Sequence, residues 1–107
     1  MMVSMETEFN TFKEFYPFYL SQHQNTVCKG LHFFGTTIVI STAVHAIIYI
    51  QPQLLPLLPV FGYGPAWVGH FFFEKNKPAT FKYPFYSFIA DFVMYFDILT
   101  GRVKLLR

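Results

Sequence analysis

Charged residues are scarce in this sequence. Only 13% of its 107 residues are Asp, Glu, Lys or Arg, whereas 53% are hydrophobic and 15 are Phe. A soluble globule of this size would have to expose much of that apolar surface to water. The formal net charge is only +2 and there is no basic run, so the electrostatic footprint of a nucleic-acid-binding protein is missing. We therefore expect a lipid membrane as partner and no nucleic acid.

Cysteine is almost absent too. The single Cys28 excludes an intrachain disulfide framework and a metal site made of thiolates, so a bound metal would need imidazole and carboxylate ligands. The N-terminus has Glu6 and Glu8 and lacks a basic region before an apolar run, so we do not expect a cleaved signal peptide. The length suits one domain, which we assign to residues 1–107.

Two long tracts have no charge at all. Residues 31–50 could cross a hydrocarbon core of roughly 30 Å as a helix, and we predict a spanning helix there. Residues 54–73 are also uncharged, but three prolines and three glycines argue against one regular helix. For this tract we predict a loop through Gly64 and then a short helix from about Pro65 to Lys75.

Two further helices flank these tracts. Between residues 9 and 20 the aromatic residues recur at steps of three and four, which predicts an amphipathic helix with a kink or a break near Pro17. The apolar run of residues 83–100 predicts a last helix, in which Ser87, Asp91 and Tyr95 share one face and Asp97 does not. The predicted fold is all-α: a small membrane-embedded bundle of about four helices, with a Pro/Gly-broken segment between the second and third.

Four histidines are candidates for a metal site. On one continuous helix His32 and His45 would be ~20 Å apart along the axis, so they cannot share an ion, and we predict that His45 is not a ligand. His23 can reach His32 only if the chain bends near Asn25. A site of His23, His32 and His70 would suit iron or zinc, although any one of these residues alone is more often structural.

Glu74 follows His70 by four residues, at the end of an uncharged tract. A helix would place both side chains on one face at the apolar boundary, which is a spacing typical of metal ligands and of proton relays. Glu74 is thus a candidate fourth ligand or catalytic base. His-xxx-Glu alone is a weak signal, because surface helices often carry such pairs.

Two segments resemble the motifs of a known family. Residues 15–23, FYPFYLSQH, are followed by Asn25, Cys28-Lys29 and residues 31–36, LHFFGT; the second segment is residues 67–79, WVGHFFFEKNKPA. Both resemble the 2-hydroxy fatty acid dioxygenase family, typified by an endoplasmic-reticulum enzyme of yeast. With residues 84–102, which are similar to the tail of short bacterial members, the resemblance covers most of residues 12–102.

The resemblance implies an iron(II)-dependent α-oxidation that converts a 2-hydroxy fatty acid and dioxygen into the acid one carbon shorter. It implies His23, His32 and His70 as the functional histidines, which we predict to be metal ligands. Our own prediction for the catalytic residues is His70 and Glu74. The resemblance also implies an integral membrane protein, of the endoplasmic reticulum in a eukaryote or of the inner membrane in a bacterium.

Other polar residues of the motifs are candidates for orienting ligands or binding substrate. Asp91 could orient a ligand histidine, and Lys75 or Lys77 could hold the substrate carboxylate. The remaining candidate donors are Tyr16, Tyr19, Asn25 and Asn76. The main alternative is a non-catalytic membrane packing or lipid-binding protein with structural histidines; haem held by two histidines is another. The sequence leaves a homo-oligomer open.

Overall fold

A computed structural model describes residues 9–105, which form helices and no strand. Four are α-helices, which we label α1 (Phe12–Ser21), α2 (Thr26–Ile48), α3 (Leu58–Val68) and α4 (Pro84–Leu99). Two 3₁₀-helices, Pro52–Leu57 and Ala79–Phe81, and a π-helical turn, Gly69–Glu74, complete the described chain. The prediction of an all-helical fold with about four helices is confirmed.

Helix α1 is continuous through Pro17, so the predicted break is absent. Phe15 and Tyr19, on either side of this proline, are both buried and pack with Ala90 and Met94 of α4. A proline inside a helix costs about 3 kcal/mol, whereas burying one large apolar side chain contributes about 1.5–3 kcal/mol. Two buried aromatic rings on the same face therefore keep the helix in one piece.

Helix α2 begins at the bend that the sequence predicts near Asn25. The Asn25 side-chain oxygen accepts hydrogen bonds from the backbone N–H groups of Val27 at 2.9 Å and Cys28 at 3.1 Å, which is an N-cap. Its 23 residues span ~34 Å. Within residues 9–105, α2 is the one helix that is long and apolar enough to cross a membrane.

The predicted loop through Gly64 is wrong, because residues 52–74 are helical throughout. Pro52 and Pro59 lie in the first turn of their helices, where the missing N–H would have had no intrahelical partner. The tract changes from 3₁₀ to α to π geometry instead. The predicted break is therefore a change of hydrogen-bond pattern and not a loop. The helical tract ends at Glu74, close to the predicted end at Lys75.

Two glycines allow the backbones of α2 and the α3–π tract to approach closely. A Cβ atom on Gly35 would lie 3.0 Å from the carbonyl oxygen of Phe61. A Cβ atom on Gly69 would lie 2.9 Å from the Cα of Cys28, closer than real Cβ atoms come. Because His32 lies one turn after Cys28 and His70 follows Gly69, this contact brings the two histidines together.

Helix α4 carries Ser87, Asp91 and Tyr95 on one face, as predicted, and in the structure Asp91 and Tyr95 meet α2. Ser87 is buried, Asp91 lies beside His32, and the Tyr95 and Thr37 hydroxyls are 2.9 Å apart. Asp97 faces elsewhere and accepts a hydrogen bond from the Tyr16 hydroxyl.

Candidate metal centre

Three histidines from three separate segments meet at one point. His23 lies in the turn between α1 and α2, His32 on α2, and His70 in the π-helical turn. Their Nε2 atoms form a triangle with sides of 3.1 Å (His23–His32), 3.1 Å (His32–His70) and 2.9 Å (His70–His23). All three residues are buried, with 2%, 6% and 1% of their surface exposed. The bend at Asn25 does bring His23 back to His32.

The Nδ1 atom of His23 faces a group that can only accept a hydrogen bond. It lies 2.6 Å from the backbone carbonyl oxygen of Tyr19, so Nδ1 carries the proton and donates. The Nε2 atom of a neutral His23 then has a lone pair and no hydrogen.

The other two rings are oriented in the same way. His70 Nδ1 lies 2.7 Å from the Asn76 side-chain oxygen, whose position is fixed because the Asn76 amide nitrogen donates to the Gln22 carbonyl. His32 Nδ1 lies 3.7 Å from a carboxylate oxygen of Asp91. The Asn76 oxygen therefore places the His70 proton on Nδ1, away from the triangle, whereas Asp91 is close enough to His32 for an electrostatic contact only.

The Nε2 lone pairs of His23 and His70 consequently point into the triangle, and with His32 in the same tautomer three lone pairs would point at one another with no proton between them. Such an arrangement is repulsive unless a cation lies at its centre, and metal-bound histidines commonly donate their other ring N–H to a carbonyl or a carboxylate. With a metal–nitrogen distance of about 2.1 Å, neighbouring ligands at right angles are about 3.0 Å apart and tetrahedral ligands about 3.4 Å apart. The observed sides match the right-angled arrangement, so these residues fit a metal ion with several remaining coordination positions.

Burial keeps His23 in the neutral form that a metal requires. Removal from water, together with the neighbouring His70, lowers the pKa of His23 to about 3. Burial is also the main cause that raises the pKa of Tyr19 well above its ordinary value, and the neighbouring Asp91 is the second cause. Tyr19 therefore stays protonated and donates its hydroxyl hydrogen to Asp91.

Glu74 lies beside the centre but contributes no ligand atom to it. Its two carboxylate oxygens accept hydrogen bonds from the backbone N–H groups of Gln24 at 3.0 Å and Asn25 at 2.7 Å. Within the described residues, the group of converging ligand atoms consists of the three histidines only. Glu74 thus holds the turn that carries His23, and its role as a base stays a prediction.

The structure brings together some of the predicted residues and separates others. Tyr19, Asn76 and Asp91 surround the imidazoles. Asn25 caps α2, and Tyr16 pairs with Asp97 at 2.8 Å. Lys75 is exposed and ends the π-helical turn with a left-handed backbone, φ 64°, and Lys77 is exposed as well. His45 is exposed at the far end of α2, 3.1 Å from the Gln51 side-chain oxygen, as expected for a histidine outside the site.

Sequence reasoning missed Tyr63 and Trp67. Both line a space of about 10 Å³ next to the histidines, which is room for about one small ligand atom. The indole Nε1 of Trp67 is buried and has no hydrogen-bond partner among the described residues. Tyr63, Trp67 and His70 are spaced i, i+4, i+7, so the helical face of His70 was the signal that could have identified them.

A larger cavity of about 410 Å³ opens from the same centre between α2, α3 and α4. His32 and Asp91 line the end of this cavity next to the histidines, and the rest of the lining is almost entirely apolar.

Fold and site together define a small all-helical protein whose three buried histidines could hold a metal ion. A family model described as 2-hydroxy-palmitic acid dioxygenase Mpo1-like matches residues 9–103, so the chain belongs to the Mpo1-like family. This match confirms the resemblance of the two motifs. No curated protein and no solved structure matches the chain.

Proposed function

We propose that this protein is a membrane-embedded, iron(II)-dependent dioxygenase that converts a 2-hydroxy fatty acid into the fatty acid one carbon shorter. The observation that carries the proposal is the convergence of the Nε2 atoms of three buried histidines. The description of the family supports the substrate class.

The reaction balances without an external reductant. One 2-hydroxy acid and one dioxygen give the shorter acid, one carbon dioxide and one water. The C1–C2 bond breaks, C2 becomes the new carboxyl carbon, and the four electrons released are the four that dioxygen accepts. No reductase partner is therefore needed.

His23, His32 and His70 would hold the iron. When bound, iron(II) supplies binding and activation of dioxygen, which zinc cannot do, and it has positions left for the hydroxyl and carboxylate of the substrate. The protein's own part is to keep the three imidazoles neutral and to fix their tautomers through the Tyr19 carbonyl, Asn76 and Asp91.

Two groups are candidates for the substrate's polar end. Trp67 lines the small space at the histidines, and its buried indole N–H has no hydrogen-bond partner among the described residues, so we propose it as a donor to the substrate carboxylate. Glu74 accepts hydrogen bonds from the Gln24 and Asn25 amides and contributes no atom to the histidine cluster, so positioning of His23 is the role that its contacts favour.

Exposed apolar side chains support the membrane location. Ile47, Phe72 and Phe85 are 74%, 68% and 72% exposed and lie on α2, the π-helical turn and α4. Large apolar side chains this exposed on three separate elements are what a surrounding lipid phase would cover.

The test is dioxygen uptake by the protein purified in detergent without oxygen, loaded with iron(II) and given 2-hydroxypalmitate. We expect uptake matched by formation of the shorter acid, loss of both in His70→Ala, and no loss in the control His45→Ala. Iron-loaded protein that consumes no dioxygen, or equal uptake by His70→Ala, would overturn the proposal.

A lipid-binding protein with structural histidines is the rival, and the 410 Å³ apolar cavity is the observation that favours it. It predicts no stoichiometric metal in the purified protein and no change in His23→Ala or His32→Ala. Haem held by two of these histidines does not fit, because ligands on opposite sides of an iron are about 4 Å apart and no Nε2 pair here exceeds 3.1 Å.

A further inference from the structure

We infer that the cavity between α2, α3 and α4 binds the hydrocarbon chain of the substrate, with the polar end at His32 and the methyl end toward Ile47, and that Ala43 controls the chain length accepted. We call this cavity the acyl groove. This inference rests on the proposed function and adds the location of the substrate.

The acyl groove is continuous with the metal centre. His32 and Asp91 line both the acyl groove and the small space among the histidines. A molecule with its polar end at the histidines therefore has a direct path into the groove. This continuity identifies the occupant as part of the same molecule that reacts.

One face of α2 forms the floor of the groove. The floor residues recur at steps of three and four, so they form a single stripe along the helix. From His32 to Ile47 the stripe is ~22 Å long, which suits an extended chain better than a compact ligand. The floor residues are His32, Thr36, Val39, Ile40, Ala43, Val44 and Ile47.

The opposite walls are apolar and come from α3 and α4. They consist of Leu58, Pro59, Gly62, Tyr63, Phe88 and Phe92. Beyond the Thr36 and Tyr63 hydroxyls there is no polar side chain to bind a second polar group, so the far part of the groove suits only hydrocarbon.

Small residues keep the groove open. A Cβ atom on Gly62 would lie 3.2 Å from a methyl carbon of Val39, so the two helices leave little width to spare at this point. Ala43 is one turn further along the floor, ~16 Å from His32 along the axis. A large side chain at Ala43 would therefore obstruct the distal part and leave the part next to the histidines unchanged.

The experiment compares Ala43→Phe with Ile48→Phe. Ile48 is 63% exposed on the same helix and does not line the groove, so it is a matched control. Dissociation constants of 2-hydroxypalmitate and 2-hydroxyhexanoate are measured without oxygen on metal-loaded protein in detergent. Because no turnover is involved, a failure of the proposed reaction does not affect this test.

We expect Ala43→Phe to weaken binding of the long acid about tenfold or more, since losing apolar contact for only two methylene groups has about that effect. Binding of the short acid should stay the same, as should both acids in Ile48→Phe. Metal content and thermal stability equal to wild type establish that the variant is folded.

Three outcomes would overturn the inference. The first is equal weakening of both acids in folded Ala43→Phe, and the second is no weakening of either. The third is unchanged binding of 2-hydroxypalmitate together with loss of co-purified phospholipid, which would make the groove a site for membrane lipid.

Discussion

At the scale of single residues, the acceptors behind the histidines decide what the centre can do. A backbone carbonyl and an amide oxygen lie within hydrogen-bond distance of Nδ1 of His23 and of His70, which leaves the Nε2 atoms of these two rings unprotonated, and the Asp91 carboxylate lies 3.7 Å from Nδ1 of His32. The sequence could predict the three histidines that converge and nominate Asn76 and Asp91 as their neighbours. It could not predict the Tyr19 carbonyl, because a backbone oxygen leaves no trace in residue identity.

Asn76→Ala should weaken the metal site. Without the amide oxygen, His70 loses the acceptor that fixes its tautomer, and loss of such a partner commonly lowers metal affinity about 10–100-fold. Titration of iron(II) against a competing chelator measures the change. Asn10→Ala, at an exposed position, is the control, and equal affinities in the two variants would contradict the orienting role.

Glu74→Gln separates positioning from base catalysis. The amide of Gln can accept from only one of the two backbone N–H groups, and the other is left facing a donor, which costs about 1–3 kcal/mol. We expect a lower melting temperature and lower iron content, with Glu14→Gln as the control. Full iron content and stability with a lowered kcat would instead identify Glu74 as the base.

Trp67→Phe should reduce the preference of the site for a ligand with a carboxylate over one without it. Phe keeps an aromatic ring at this position but has no N–H. A lost hydrogen bond to a charged group corresponds to about tenfold in affinity. The measurement is the dissociation constant of 2-hydroxypalmitate against that of the corresponding 1,2-diol, which has no carboxylate. An unchanged ratio of the two constants would assign the indole a packing role only.

At the scale of elements, hydrophobic patterning predicted α1, α2 and α4 but not the path of residues 52–74. Prolines were read as breaks, yet Pro59 occupies a first-turn position that tolerates it, and Pro56 and Pro65 lie inside their helices without ending them. The π-helical turn that carries His70 was also missed. A change from i+4 to i+5 hydrogen bonding depends on contacts with α2 and does not alter the pattern of apolar residues.

Gly69→Ala tests how the π-helical turn is placed. The added methyl would meet the Cys28 backbone at 2.9 Å, which cannot move without shifting α2, and overpacking of this kind costs about 1–3 kcal/mol. We expect a lower melting temperature and reduced metal binding. Gly64→Ala, where no atom lies within 4 Å, should show neither effect, and similar behaviour of the two variants would argue against the close approach.

At the scale of the whole molecule, the metal would join parts of the chain that are distant in sequence. His23, His32 and His70 lie in the α1–α2 turn, α2 and the π-helical turn. A ligand that binds only the folded state stabilises it by about 2.7 kcal/mol at a concentration of 100 times its dissociation constant. Metal binding should therefore act on the entire bundle and not on one helix.

Removal of metal should lower the melting temperature of the detergent-solubilised protein, and return of iron(II) should restore it. We expect this shift in wild type and in His45→Ala but not in His32→Ala. Circular dichroism at the helical wavelengths follows the transition. A shift that persists in His32→Ala would place the stabilising ion elsewhere.

Trp67 is the only tryptophan in the chain, and it borders the histidine centre. All indole fluorescence therefore originates beside the site, and a paramagnetic ion bound there should quench it. Loading of the protein could thus be followed optically and without a label, even in native vesicles where activity is hard to assay.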